Sequence, residues 1–257
     1  AVLAFAALEM GQNLLAAQHY ADAIKCYRLI LPYASLLEAQ QRRLHSTRER
    51  FESRKSSIGL YQGGQFWVQF YNQLIARLQQ QLEALQGAED YTPALYLAMG
   101  QAYLLDERAH EAWILFETLA RDEALSRTQQ AEAHYRWILA AIEVGVWEDA
   151  FRIAEGFGER FPDSPLVPDA LYLLATAYQQ AGEYRDAVKV LDLFLLNHPA
   201  HPLAPRVLFV RGYNHNLLNQ PTAARDDFET FISKHPKHAL ALDARYWRAL
   251  TFFAEFD

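Results

Sequence analysis

Three prolines in the second half of the chain, Pro162, Pro199 and Pro236, stand 37 residues apart. Each follows the same order of small and large apolar residues, and self-similarity at a period of about 20 to 50 residues is typical of solenoids. In a solenoid each unit buries its apolar face only against its neighbours, which leaves a long surface accessible to partners. The period therefore predicts a binding scaffold, and it does not indicate what is bound.

The segment between Pro168 and Pro199 is predicted to be a helical hairpin. Gly182 separates its two halves, and the second half stops before Pro199 because a residue that precedes proline is disfavoured in the helical conformation. The apolar residues of each half share one helical face: Leu171, Leu174, Ala175 and Tyr178 in the first, and Ala187, Leu191 and Phe194 in the second.

The same positions recur in the neighbouring segments. The copies on either side are His134, Trp137, Ile138, Ala141, Gly145, Ala150 and Phe157 before Pro162, and Leu208, Gly212, His215, Ala224, Phe228 and Phe231 before Pro236. Ile138 departs from the small residue expected at its position, so we expect a wider helix crossing there. This layout resembles the tetratricopeptide repeat (TPR), in which small residues lie where two helices cross closely and a proline closes the unit. The resemblance implies an all-α fold, a right-handed α-solenoid of helical hairpins. The 37-residue spacing is similar to that of repeats in bacterial cell-envelope proteins.

Three regions are predicted on this basis. An N-terminal TPR unit covers residues 1–35, a long antiparallel helical hairpin is inserted at 36–90, and a TPR array covers 91–257. The repeats of the array are predicted at about 92–125, 130–163, 167–200 and 204–237, with a partial repeat at 241–257. Terminal repeats normally carry a polar capping face, so an array that stops inside a repeat is expected to be a fragment of a larger protein.

The predicted hairpin insert does not follow the repeat. On its first helix, apolar residues recur every seven positions at Leu37, Leu44, Phe51 and Ile58. Gly59, Gly63 and Gly64 predict the turn, and the second helix carries a wider apolar stripe made of Trp67, Phe70, Tyr71, Leu74, Leu78, Leu82 and Leu85. Each arm is expected to be roughly 35 Å long at about 1.5 Å per residue.

The formal net charge of −7 argues against a general nucleic-acid binder, which depends on a basic stripe. The first arm of the hairpin is nevertheless locally basic. Its cations are Arg42, Arg43, Arg48, Arg50, Arg54 and Lys55. Two explanations stay open: a solvated helix face with i,i+4 pairs such as Arg48 with Glu52, or a secondary surface that docks on an acidic protein, anionic lipid or nucleic acid.

Catalytic motifs are missing from the sequence. His110-Glu111 resembles the start of a zinc-protease helix, but Ile114 stands where the second histidine is required. The chain has neither a Gly-rich phosphate loop before Lys-Ser/Thr nor a Gly-x-Ser-x-Gly elbow, and its lone Cys26 excludes an internal disulfide. We therefore expect no catalytic residues, no enzyme activity and no cofactor. We also expect no transmembrane segment.

Histidines recur with the repeat, since His198 and His201 correspond to His235 and His238. Four imidazoles suggest a metal site, but successive repeats lie on the order of 10 Å apart, which is too far for one ion to gather all four. We expect His198 and His235 to pack as semi-polar residues before the closing prolines, and we expect no metal.

The first helices of the repeats carry the candidate partner-binding residues, because the TPR resemblance implies that these helices line a concave groove. The rings recur at one position, Tyr135, Tyr172, Phe209 and Tyr246, with Tyr213 one turn further on. Regularly spaced aromatic residues offer a large contact area with few rotatable bonds. The alternative is that they only pack helix against helix.

Charged residues are predicted to frame the groove at its edge: Glu132, Asp169, Arg206 and Asp243. TPR domains that grip a C-terminal carboxylate use Lys, Asn and Arg in the groove. The corresponding positions here hold Tyr135, Leu139, Tyr172 and Thr176, so we expect no carboxylate clamp.

The function favoured by these features is a non-enzymatic scaffold that binds a peptide or a helical segment of a protein partner in the aromatic groove. Two alternatives remain: a regulatory or substrate-presenting domain of a larger enzyme, and a module that self-associates through its ends or its hairpin. No specific nucleic acid is expected as a partner. The envelope-type spacing favours the periplasm or cell envelope over the cytoplasm.

Overall fold

A computed structural model of the chain describes residues 2–58 and 64–253. Within these ranges the secondary structure is helical, and the helices are α1 (Val2–Ala16), α2 (Tyr20–Arg28), α3 (Tyr33–Ile58), α4 (Gly64–Gln86), α5 (Thr92–Leu105), α6 (Ala109–Ala120), α7 (Arg127–Val144), α8 (Trp147–Glu155), α9 (Phe157–Arg160), α10 (Val167–Gln180), α11 (Tyr184–Asn197), α12 (Ala204–Leu217), α13 (Pro221–Lys234) and α14 (Ala241–Phe253). The predicted turn residues Gly59 and Gly63 and the last four residues of the partial repeat lie outside the described part. The all-α prediction is confirmed.

Two groups of helices form separate compact units, Ala1–Glu107 and Arg108–Asp257. The predicted region boundaries near residues 35 and 90 both fall inside the first unit and stay a prediction. Each predicted repeat contains a pair of helices, with the short α9 added after α8 and α14 standing as the first half of the partial repeat.

In the first unit, α3 and α4 form the predicted long hairpin. The Tyr33 hydroxyl donates to the Leu85 carbonyl at 2.9 Å near one end, and the Phe51 and Tyr71 rings stack at 5.4 Å towards the other, so the two helices are antiparallel. The heptad residues Leu44 and Phe51 are buried. The side chain of Ile58, the last heptad position, lies outside the described part.

In the second unit, consecutive helices pack in chain order from α10 to α14. Phe194 and Phe231 are fully buried at equivalent positions of two successive repeats, each beside small residues such as Ala175 and Ala224. At Gly212 a Cβ atom would lie only 3.0 Å from the Phe228 ring. Glycine therefore permits the close crossing of α12 and α13, as the TPR pattern predicts.

The linkers between repeats have the same geometry at each 37-residue step. The Nδ1 atoms of His201 and His238 accept hydrogen bonds from the backbone N–H groups two residues later, at 3.3 and 3.1 Å. In the preceding linker the hydroxyl of Ser164 accepts the equivalent bond from Leu166 at 3.2 Å. One side-chain acceptor at a constant position thus closes the turn into the first helix of each of these three repeats.

None of the helices in the described ranges combines the length and the apolar character needed to cross a membrane.

Candidate protein-interaction surface

The first helices of the second unit, α7, α10, α12 and α14, carry the predicted partner-binding rings, and we call them the first-helix row. The 37-residue interval gives Tyr135, Tyr172, Phe209 and Tyr246 equivalent positions on these four helices. Neighbouring members of the row contact each other, α7 with α10 and α12 with α14. The row therefore brings the predicted residues onto a series of adjacent helices.

Tyr172 and Arg206 meet across two helices of the row. The Arg206 guanidinium lies 5.6 Å from the centroid of the Tyr172 ring, which is within the range of a cation–π interaction. The ring is half-buried and Arg206 is exposed. The predicted edge residue Arg206 and the predicted groove residue Tyr172 are therefore in contact.

Tyr135 occupies the same position one repeat earlier and is also half-buried. Burial raises the pKa of its hydroxyl, and the negative charge of Asp169 on the next helix raises the pKa further. On α7 itself, the Arg136 Nε donates to the Glu132 carboxylate at 2.7 Å. Two of the predicted edge carboxylates thus lie near this ring.

Phe209 and Tyr213, both on α12, pack against neighbouring helices. The Phe209 ring centroid lies 5.7 Å from that of Phe228 and 5.9 Å from that of Phe231. The Tyr213 ring meets the Trp247 ring edge-on at 4.9 Å. These contacts agree with the alternative considered for the rings, which is that they pack helix against helix.

Tyr246 is the most accessible ring of the series, because 61% of it is exposed. Leu242, four residues earlier on α14, is 73% exposed, and Trp247 lies beside Tyr246 with a centroid distance of 5.7 Å. Leu242 and Trp247 were not predicted from the sequence as site residues. The i,i+4 spacing of Leu242 and Tyr246 could have predicted that both lie on one surface, since residues four apart share a helix face.

The predicted basic surface belongs to α3 in the first unit. Lys55 pairs with Glu52 at 3.4 Å, and Arg42 pairs with Glu38 at 3.7 Å. The expected pair between Arg48 and Glu52 is wrong, because Arg48 donates instead to the Gln79 amide oxygen of α4 at 2.9 Å. The partner helix therefore supplies an acceptor that the local spacing did not predict. Arg43, Arg50 and Arg54 are exposed.

The four repeated histidines pack around two phenylalanines. The rings of His198 and His201 both lie 5.7 Å from the Phe194 ring, and those of His235 and His238 lie 5.7 and 5.3 Å from the Phe231 ring. Among the described residues, no group of three or more His, Cys, Asp or Glu is placed to hold a metal ion. The contacts to Phe194 and Phe231 give the histidines a packing role.

Part of the second unit is similar to a known protein family. The profile of the family described as "YfiO: Outer membrane lipoprotein" matches residues 127–223, which is less than half of the chain. Among curated proteins, none matches this sequence significantly.

Among solved structures, a variant of the kinesin light chain TPR-like repeats of Podosopora anserina is similar to this chain. It has a TM-score of 0.50 at 16% identity, and the match covers 76% of this chain and 97% of that one. YrrB, described as a TPR protein with an unusual peptide-binding site, has a TM-score of 0.48 at 16% identity, with 78% and 97% covered. At such identities the likeness concerns the fold alone. With its stacked helix pairs and its 37-residue period, this chain has the fold of the tetratricopeptide-repeat proteins.

Proposed function

We propose that the chain is a protein-interaction scaffold whose first-helix row binds an extended or helical segment of a partner protein. The observation that carries the proposal is the pairing of rings with charged side chains along the row, above all Tyr172 with Arg206. Such a row provides apolar anchoring sites and polar groups that fix the register of the bound segment.

The accessible part of the row is the part proposed to bind. Tyr246 and Leu242 expose large apolar surfaces on α14, whereas Tyr135 and Tyr172 are half-buried. A tyrosine loses little conformational entropy on binding because only two torsions become ordered. Phe209 and Tyr213 are proposed to support the row through their contacts with Phe228 and Trp247.

The charges of the row indicate the chemistry of the partner. Asp169 and Asp243 are acidic edge residues, Glu132 is already paired with Arg136, and Arg206 is held over Tyr172. We propose a segment with apolar side chains at regular intervals and flanking lysine or arginine, since the edge is more acidic than basic.

The cell envelope is the proposed location. The support is the match of residues 127–223 to an outer-membrane lipoprotein family, together with the 37-residue repeat spacing.

The test is a selection of linear peptides from a random display library, followed by fluorescence anisotropy with the selected peptides. We expect the double variant Tyr172→Ala/Tyr246→Ala to weaken binding by at least about tenfold, because truncation of interface aromatics commonly removes more than 1 kcal/mol each. The pair Tyr172 and Phe209 is a poorer choice, because Phe209 also contacts the core residues Phe228 and Phe231.

The matched control is Tyr184→Ala, which removes a partly exposed ring from the second helix α11. It should leave peptide affinity unchanged, and both variants should keep the helical circular dichroism of the parent. Equal loss in the two variants, or full affinity in the double variant, would reject the first-helix row as the binding surface.

A further inference from the structure

The cations of the long hairpin are divided between two flanks. Residues four, seven or eleven positions apart lie within about 40° of each other around a helix. Arg43, Arg50 and Arg54 on α3 therefore share one flank, and so do Phe66, Phe70 and Arg77 on α4. All six are exposed.

The two sets lie on the same side of the hairpin. In an antiparallel pair, the contacts between side chains identify which flanks adjoin. Gln40, one turn before Arg43, donates to the Gln81 amide oxygen at 3.2 Å, and Gln81 lies one turn after Arg77. We call the surface formed by Arg43, Arg50, Arg54, Phe66, Phe70 and Arg77 the arginine flank.

The carboxylates of the described parts of α3 and α4 lie on the opposite flank. They are Glu38, Glu49, Glu52 and Glu83. The ion pairs of this opposite flank join Arg42 to Glu38 and Lys55 to Glu52, and Nε2 of His45 lies 3.2 Å from the Glu49 carboxylate. Among the basic residues of α3, Arg42 and Lys55 thus pair with glutamates and Arg48 donates to Gln79, whereas Arg43, Arg50 and Arg54 are exposed without an acidic neighbour on their flank.

The aromatic side chains of the arginine flank form an exposed patch. Phe66 is 65% exposed and Phe70 is 45% exposed, and Trp67 between them is 51% exposed. Their rings meet edge-on at 5.7 and 5.9 Å. A contiguous exposed apolar patch with a polar rim marks an interaction site for protein or membrane.

An apolar cavity opens at the base of the same flank. Its volume is about 660 Å³, and Gln40 and Gln81 form part of its wall. The remaining lining is dominated by leucines, which are Leu3, Leu29, Leu31, Leu36 and Leu85. Apolar surface is therefore present at both ends of the row of arginines.

We propose that the arginine flank docks on the surface of an anionic lipid bilayer. Guanidinium groups bind phosphate in a bidentate manner, and phenylalanine and tryptophan favour the boundary between headgroups and acyl chains. Arg43 to Arg54 extends over roughly 17 Å of helix, and a two-helix ridge of this length fits a flat surface that many headgroups form. Each basic residue near an anionic membrane adds about 1 kcal/mol of attraction.

Lipid is favoured over nucleic acid by the apolar groups of this surface. The leucine-lined cavity at the base of the flank can accept an acyl chain, whereas a nucleic-acid backbone has no apolar chain to fill it. Docking on the flank is independent of peptide binding by the first-helix row.

The test is cosedimentation of the full chain with vesicles of phosphatidylcholine and phosphatidylglycerol mixed equally, compared with vesicles of phosphatidylcholine alone. The triple variant Arg43→Gln/Arg50→Gln/Arg54→Gln should bind the anionic vesicles at least about tenfold more weakly. The control triple Arg42→Gln/Arg48→Gln/Lys55→Gln removes the same charge from the same helix and should change binding less than about twofold.

The aromatic half of the flank has its own variant and control. Phe66→Ser/Phe70→Ser should also weaken binding to anionic vesicles, whereas Leu193→Ser/Leu196→Ser, which alters exposed leucines of α11, should not. Circular dichroism checks that all four variants are folded. Equal losses in the two charge triples, or equal binding to neutral vesicles, would overturn the proposal. The proposal would also be overturned if the parent did not bind vesicles but did bind a labelled single-stranded oligonucleotide, and if the Arg43/Arg50/Arg54 triple variant lost that oligonucleotide binding.

Discussion

The Nε atom of Arg211 donates a hydrogen bond to the carboxylate of Asp227 at 2.9 Å, and this pair joins α12 to α13. The same guanidinium reaches Asp192 of α11 at 2.6 Å. Asp227 is almost completely buried. One arginine therefore connects three consecutive helices and satisfies a carboxylate that has little access to water.

Removing the arginine alone should destabilise the second unit strongly. Arg211→Met leaves Asp227 buried without its main partner, and breaking a buried pair from one side typically costs about 3–5 kcal/mol. The double variant Arg211→Met/Asp227→Leu should recover much of that loss. Urea unfolding of both single variants and the double variant measures the coupling, and a double variant no more stable than Arg211→Met would contradict the role of the pair.

Equivalent positions of the first-helix row should respond differently to truncation. Phe209→Ala removes contacts with Phe228 and Phe231 and should lower the free energy of unfolding by about 2 kcal/mol or more. Tyr246→Ala changes an exposed ring and should stay within about 0.5 kcal/mol of the parent. Denaturant unfolding distinguishes the two, and similar losses at both positions would show that Tyr246 also has a packing role.

Gly11 should not tolerate a larger residue. A Cβ atom at this position would lie 2.3 Å from Cε1 of Tyr27, whose ring is only 1% exposed and has little room to move. Gly11→Ala should therefore destabilise the chain by about 1–3 kcal/mol, despite the better helix propensity of alanine.

Gly87→Ala is the control for Gly11, because its nearest atom would lie at an ordinary 3.6 Å. Thermal unfolding of the two variants gives the comparison. A stabilised Gly11→Ala variant would mean that Tyr27 shifts freely.

His134 should make the chain sensitive to mild acid. Burial is the main cause that lowers its pKa below the ordinary 6.5, and the charge of Arg160 lowers it further, although the hydrogen bond to the Gln130 carbonyl opposes the shift. In the unfolded chain His134 takes up its proton near pH 6.5, whereas in the folded chain it does so only at lower pH. Stability is therefore lost as the pH falls below about 6.5, and above that value this histidine contributes no pH dependence.

His134→Gln should flatten that part of the profile, since glutamine keeps a hydrogen-bond donor and does not titrate. The measurement is the free energy of unfolding of both proteins at several pH values on either side of 6.5. An identical acid-induced loss in the parent and in His134→Gln would assign the sensitivity to other groups.

The spacing of apolar residues and prolines was sufficient to predict the helix pairs, the all-α fold and the long hairpin. These features follow from local rules: the period of a helix, the conformational restriction before proline, and the small residues needed at close crossings. The packing of His198 and His235 before their closing prolines stays a prediction, and the contacts found are with the rings of Phe194 and Phe231.

Only the tertiary structure decided which of these residues are exposed to solvent and which neighbours the buried ones contact. Phe209 and Tyr246 have the same register, yet Phe209 contacts the rings of the following helix, while Tyr246 is exposed on the last helix described. Likewise, six cations of one helix form a single basic stretch in the sequence, and only the antiparallel partner helix shows that Arg48 donates to Gln79 instead of pairing with Glu52. The physical reason is that periodicity is a property of one helix, whereas burial and charge environment depend on the neighbour against which the helix packs.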